Sequence, residues 1–248
     1  IIIGSSRTSC IGNDFFYNSN KKKILFFNNW VASANIGDEI AIIDLYWKKG
    51  YLPKNIIIGV EPWTFNDNSS RKELVQEELF DNYWSGLSLI GYDNGDLDQS
   101  LKVLLKQNYL ELISQPYLIE SFKSILLPEK KVTITNETFS EDYILLKDGS
   151  WVWPKSAYEK KYFDIINDIK SKIDSPDGNF DNFYELSPRR LKIFDLMVNF
   201  LLKNKVNIIL YLPPLHPTYY EKLTKPQYSM VQLSEDYLIQ KYGKDLQI

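Results

Sequence analysis

The sequence predicts an α/β domain built on a parallel sheet. Short apolar runs of strand length recur along the chain, and helical patterns separate them. The runs show little polar alternation, as strands covered on both faces do. The first run, Ile1-Ile2-Ile3, ends in a turn at Gly4. The second covers residues 24–29. Asp38 and Glu39 then precede an apolar-periodic helix over 40–49, and Gly50 stops it. A third run over 55–60 completes a β-α-β rhythm, which implies right-handed crossovers.

The middle departs from that rhythm. Residues 66–183 read as an elaboration, or cap, between two core units of the sheet. They carry helical runs over 71–79 and 101–112, a brief strand-like alternation over 131–135, and a turn feeding an extended segment over 147–153. The rhythm returns at Ser187-Pro188, a helix start with Ser as cap and Pro in the first turn. A fourth strand over 206–212 is stopped by Pro213-Pro214, and a helix over 230–242 follows. Leu246-Gln247-Ile248 reads as the first residues of a further strand. The chain opens on a strand pattern without Met and closes as a strand begins. It is therefore expected to be one α/β domain, 1–248, cut from something longer.

Composition narrows the function classes. With 248 residues, 44% hydrophobic and 25% charged, the chain can bury a sizeable core. Net charge is -3, and the one dense basic run, Lys21-Lys22-Lys23, reads as a solvated loop, so no nucleic-acid partner is predicted. A single cysteine, Cys10, allows neither an intramolecular disulfide nor a thiolate zinc site. There is no Gly-rich phosphate loop and no His/carboxylate cluster, so neither cofactor nor metal is expected. No stretch is long and apolar enough to span a membrane. Aromatic residues make up 15%, a content suited to a carbohydrate-facing groove as well as to a core.

Chemistry concentrates at strand ends. Gly4-Ser5-Ser6-Arg7-Thr8 follows the first strand at the sheet edge where open α/β sheets place ligands. A serine in a tight strand-to-helix turn exposes its hydroxyl beside backbone N–H groups, the oxyanion-hole arrangement. The plainer alternative is a Ser-rich turn that caps a helix. Asn29-Trp30-Val31-Ala32-Ser33 follows the second strand, Gly59-Val60-Glu61-Pro62-Trp63 the third, and Leu212-Pro213-Pro214-Leu215-His216-Pro217 the fourth. His216 is the only histidine in the chain.

Taken in order, these blocks resemble the SGNH (GDSL-type) hydrolases, including SGNH-like proteins of bacterial cell-surface polysaccharide modification. The resemblance covers about 1–65 and 185–248, not the middle. It implies a flavodoxin-like three-layer sandwich, with Ser6 as nucleophile and Ser5 where the family has Asp. Ser33 matches the family glycine whose N–H serves the oxyanion hole; a serine supplies that N–H but needs ordinary backbone angles. Gly59 and Glu61 fall in the family's Gly-x-Asn-Asp block. Glu61 takes the Asn position, where a carboxylate is a poor donor unless protonated; a structural role at a strand end is the equal alternative. Arg7 either binds an anionic or polyhydroxylated substrate or pairs with Asp38 or Glu61 to fix its loop. The family's last block is Asp-x-x-His. Either His216 is the base, with Pro213 standing at the Asp position, or the base follows a fifth strand beyond Ile248.

The function so implied is an esterase or acyl-transfer enzyme acting on an acyl ester, such as an O-acetylated carbohydrate, with placement outside the cytoplasm or at the cell envelope. Two alternatives stand beside it. One is a non-catalytic SGNH-like domain that binds glycan or protein. The other is a flavodoxin-like binder of a nucleotide or phosphate at Gly4-Ser5-Ser6.

Overall fold

Continuous apolar runs do form the centre of a parallel sheet. The computed structural model describes residues 1–12, 25–68, 79–93, 134–135, 144–161, 164–167, 179–215 and 217–248. Strand β1 is Ile2–Gly4, β2 is Asn28–Trp30 and β3 is Asn55–Gly59. With a strand over Asn207–Tyr211, called β7 in chain order, they form a four-stranded sheet in the order β2-β1-β3-β7, every pair parallel. Ile2 and Ile3 point to opposite faces of β1 and both are fully buried, so the sheet is covered on both sides. Gln247 makes a parallel bridge to Ile209 and its carbonyl accepts from Leu210 N, which sets the 246–248 run beside β7.

The second strand differs from its expected span. The apolar run suggested 24–29, yet the pairing register is Ile2↔Asn28 to Gly4↔Trp30. Leu25 and Phe27 stay exposed, while the polar Asn28 is buried. The cause is hydrogen bonding. The Asn28 amide donates to the carbonyls of Thr8 at 2.8 Å and Ile11 at 3.1 Å, so it is the polar side chain that this strand buries.

Helices connect the strands. Helix α1 spans Ile36–Lys48 and starts four residues before the expected 40. Asn35 and Asp38 form a capping box, so Asp38 and Glu39 lie in the first turn, where carboxylates suit the helix dipole. Helix α2, Phe80–Leu89, packs on α1 through Gly86, where a side chain would strike Ile40. The Asp44 carboxylate of α1 joins the two by accepting from Asn82 at 2.9 Å and Ser85 at 2.5 Å.

Within the elaboration, β4 (Ile134–Thr135), β5 (Ile144–Leu146) and β6 (Trp151–Val152) make a small separate sheet, followed by the short helix α3, Lys155–Tyr158. The expected helical run at 101–112 lies outside the described residues, as does 71–79 up to its last residue. Helix α4, Pro188–Lys203, begins as expected with Ser187 as its cap, the hydroxyl accepting from Arg190 N. After β7 come α5, Pro217–Lys222, and α6, Lys225–Tyr242, the latter started by a Thr224–Gln227 capping box ahead of the expected residue 230. Asp195 of α4 accepts hydrogen bonds from Tyr237, Lys241 and Tyr242 of α6, tying the two helices together. No described helix is long and apolar enough to cross a membrane.

Candidate functional site

In the order β2-β1-β3-β7, the chain leaves β1 towards one side of the sheet and later crosses to the other, so the switch point where open α/β sheets place their crevice falls at the carboxyl ends of β1 and β3. The two strand ends approach closely because both are glycine. Gly4 has φ +149°, and a Cβ there would lie 2.9 Å from Thr8 Cγ2 and 3.2 Å from Gly59 Cα. A Cβ on Gly59 would collide with the same Thr8 methyl. Thr8 is fully buried, and its hydroxyl donates to the Ser5 carbonyl at 2.8 Å. Gly59, expected to line the substrate site, thus borders Thr8.

Above this contact lies a polar network. Ser5 Oγ donates to Glu61 Oε1 at 2.5 Å and accepts from Arg7 N at 3.1 Å. Arg7 Nη1 donates to Glu61 Oε2 at 2.7 Å. Arg7 Nη2 donates to the Pro213 carbonyl at 3.0 Å and to that of Pro214. The guanidinium carbon sits 5.6 Å from the centroid of the Trp63 ring, a cation–π distance. Of the two partners offered for Arg7, Glu61 is the one it bonds. Glu61 is 2% exposed and both its oxygens accept, so it behaves as a carboxylate acceptor.

Ser6 lies between these two tethered residues and is exposed; among the described residues its hydroxyl has no hydrogen-bond partner. Its carbonyl accepts from Ser9 N at 3.2 Å and Ser9 Oγ at 2.6 Å, which closes the turn behind it. Ser33 stands on the neighbouring loop, which is fastened to β1 where Val31 N donates to Gly4 O at 2.9 Å. Its φ is +58°. The expectation of ordinary backbone angles at Ser33 is therefore corrected: the turn between β2 and α1 demands the left-handed region, which favours glycine. His216 lies outside the described residues; the 212–215 segment before it is the one Arg7 holds.

Two groups of side chains pack beside this network. One is aromatic: Trp63, Tyr219 and Tyr220 pack against buried Phe180, Phe183, Met230 and Val231. Burial and the Glu235 carboxylate push the Tyr220 phenol up, while Arg7 opposes the shift. The other comes from the elaboration. Asp148 O accepts from Asn28 N at 2.7 Å, Ser9 O accepts from Trp151 N at 2.7 Å, and the Trp30 and Trp151 rings meet edge-on at 5.2 Å. The β5–β6 turn therefore braces the loop that carries Ser6.

Sequence reasoning passed over Asn28, Thr8 and Glu39. Glu39 is 3% exposed and its Oε2 has no partner among the described residues. Burial, with Asp38 and Glu61 nearby, holds its carboxyl well above the ordinary carboxylate range. A carboxylate at the start of a helix is too common to mark such a residue in advance. Among the described residues, no group of three or more His, Cys, Asp or Glu is placed to hold a metal ion. Compared with protein-family models, curated proteins and solved structures, the chain matches none.

Proposed function

We propose that the chain is an SGNH-type serine esterase or acyl-transfer enzyme on a flavodoxin-like three-layer sandwich, with Ser6 as its nucleophile. The observation that carries this reading is the contrast across three residues. Ser5 and Arg7 are both bound to Glu61, and Ser6 between them is exposed at the crevice. A nucleophile needs such a fixed backbone and a free hydroxyl. The strand order β2-β1-β3-β7, with Gln247 bridged beyond β7, supports the sandwich.

In this reading Ser6 Oγ attacks the carbonyl of an acyl ester, such as an O-acetylated carbohydrate. The N–H groups of Ser6 and Ser33 receive the oxyanion. A histidine base, for which His216 is the candidate within residues 1–248, takes the serine proton and returns it to the leaving alcohol. Labelling of the full-length protein by a fluorophosphonate probe tests the assignment. Labelling is expected in wild type and absent in Ser6→Ala; folded wild type that stays unlabelled overturns the esterase reading.

One observation favours the second reading, a non-catalytic glycan- or protein-binding domain. Glu61 stands where the resemblance puts a side-chain donor of the oxyanion hole, and its two oxygens accept from Ser5 and Arg7. An unlabelled protein that retains glycans on an array would establish that alternative.

A further inference from the structure

We propose that Arg7 is the positioning residue of the crevice, registering the Ser6 loop against the segments that follow β3 and β7. The proposal rests on Ser6 as nucleophile. Its basis is where the guanidinium donors go. Nη1 reaches Glu61, two residues beyond β3, at 2.7 Å. Nη2 reaches the carbonyls of Pro213 and Pro214, two and three residues beyond β7. The face of the group rests on Trp63. Three loops from different parts of the sequence thus meet on one planar fork, and Ser6 is the residue covalently next to it.

This arrangement separates Arg7 from a substrate-binding arginine. Both terminal nitrogens are engaged by the protein, and the side chain is only 24% exposed. Pro213 and Pro214 lack N–H groups, so that segment cannot hold itself by donating there, and its carbonyls are where an outside donor can hold it. Lysine carries the same charge but is a point donor without the fork, so it cannot serve a carboxylate and two carbonyls in one plane. Glu61 anchors the fork and Ser5 ties the other side of Ser6 to the same carboxylate, so a shift of Arg7 is passed to Ser6 through one peptide unit.

The test compares Arg7→Lys with wild type in the full-length protein. The rate of fluorophosphonate labelling is measured at several probe concentrations, and hydrogen–deuterium exchange is followed by mass spectrometry. A misplacement of about an ångström at a nucleophile slows reaction by about 10²-fold. The expected result is a fall of roughly that size in the maximal labelling rate, with probe affinity unchanged. Exchange should rise together in the peptides after β1, β3 and β7, while α1 and α4 keep their protection. Methylguanidinium should partly restore labelling in Arg7→Ala. Labelling of Arg7→Lys at the wild-type rate, or exchange raised in only one of the three segments, overturns the proposal. So does a chain that folds with neither Lys nor Gln at position 7, because Arg7 would then be needed for folding itself. If wild type is not labelled, the nucleophile reading fails, and the exchange data alone decide whether Arg7 registers the three loops.

Discussion

Glu61 and Asp67 stand six positions apart on the segment after β3, and each binds arginine, yet the two clamps do different things. Glu61 is buried and joins Ser5 and Arg7, residues of a loop 54 or more positions away. Asp67 is partly exposed and takes Arg189 at 2.7 Å, Arg190 at 2.6 Å and the hydroxyl of Ser187. Those three residues start α4, and Ser187 N also donates to Phe65 O at 2.9 Å, so the second clamp welds the segment to a helix. One clamp holds a crevice loop at the sheet edge; the other closes a helix end. The same pair of chemical groups serves positioning or anchorage according to what lies beside it and how much water reaches it.

The difference is tested first by removing Glu61. Glu61→Ala leaves the Arg7 guanidinium facing two carbonyls without its counter-charge. The expected cost is about 2–3 kcal/mol, below the ~3–5 kcal/mol of a fully buried pair because Arg7 keeps some solvent. Urea unfolding measures it, and Ser6 labelling should fall in the protein that remains folded. A stability loss with labelling intact would make the Glu61 clamp an anchor like the other.

Next is the close approach on which the Glu61 clamp sits. Gly59→Ala forces a methyl into Thr8 and should cost about 1–3 kcal/mol. Thr8→Ser removes the opposing methyl, so the double variant should recover most of that loss in thermal unfolding. Without recovery, the collision is not the reason for glycine at this position.

The Asp67 clamp is probed by acid. Its arginine and hydroxyl partners hold the carboxyl down at about 2 despite partial burial, against an ordinary value of 3.8. A depressed carboxylate stabilises fully above its unfolded value, and that contribution is lost as pH falls from about 3.8 through about 2. Asp67→Asn should therefore lose about 1–2 kcal/mol at pH 7 and progressively less below pH 4. Equal losses at pH 7 and pH 2.5 would contradict the charged clamp.

An effect of opposite sign concerns Glu39, a neighbour that only the Glu61 clamp possesses. Its raised carboxyl works in the opposite sense. Wild type loses stability as pH rises above the ordinary 4.5, because the unfolded chain ionises first, and the loss continues until Glu39 ionises in the fold. Glu39→Gln should match wild type within about 0.5 kcal/mol at pH 4 and exceed it increasingly towards pH 8. Parallel profiles in urea unfolding would refute the raised carboxyl.

Much of the fold was legible because burial on both faces writes itself as apolar runs. The 55–60 and 206–212 runs are β3 and β7 to within a residue at either end, and Ser187-Pro188 starts α4. The run at 24–29 misled because pairing followed a buried amide at Asn28 and left Leu25 in solvent. The start of α1 was written in Asn35-x-x-Asp38, a shorter signal than the apolar period that masked it. At the site, the strand ends and the Arg7–Glu61 option were readable. The bonds from Arg7 to Pro213 and Pro214 were not, since backbone acceptors leave no mark on residue type.

The turn between β5 and β6 has a consequence for how copies of the protein meet. Strand β2 lies at one end of the four-stranded sheet, and an open strand edge invites pairing with another chain. Here the outward N–H of Asn28 is taken by the Asp148 carbonyl, and that of Trp30 by the Asn28 side chain at 3.1 Å. Gly149 packs so closely on the Asn28 carbonyl that any side chain there would overlap it. The segment that braces the crevice loop thereby also blunts this edge against strand addition, and a Gly149 substitution would expose a template for aggregation.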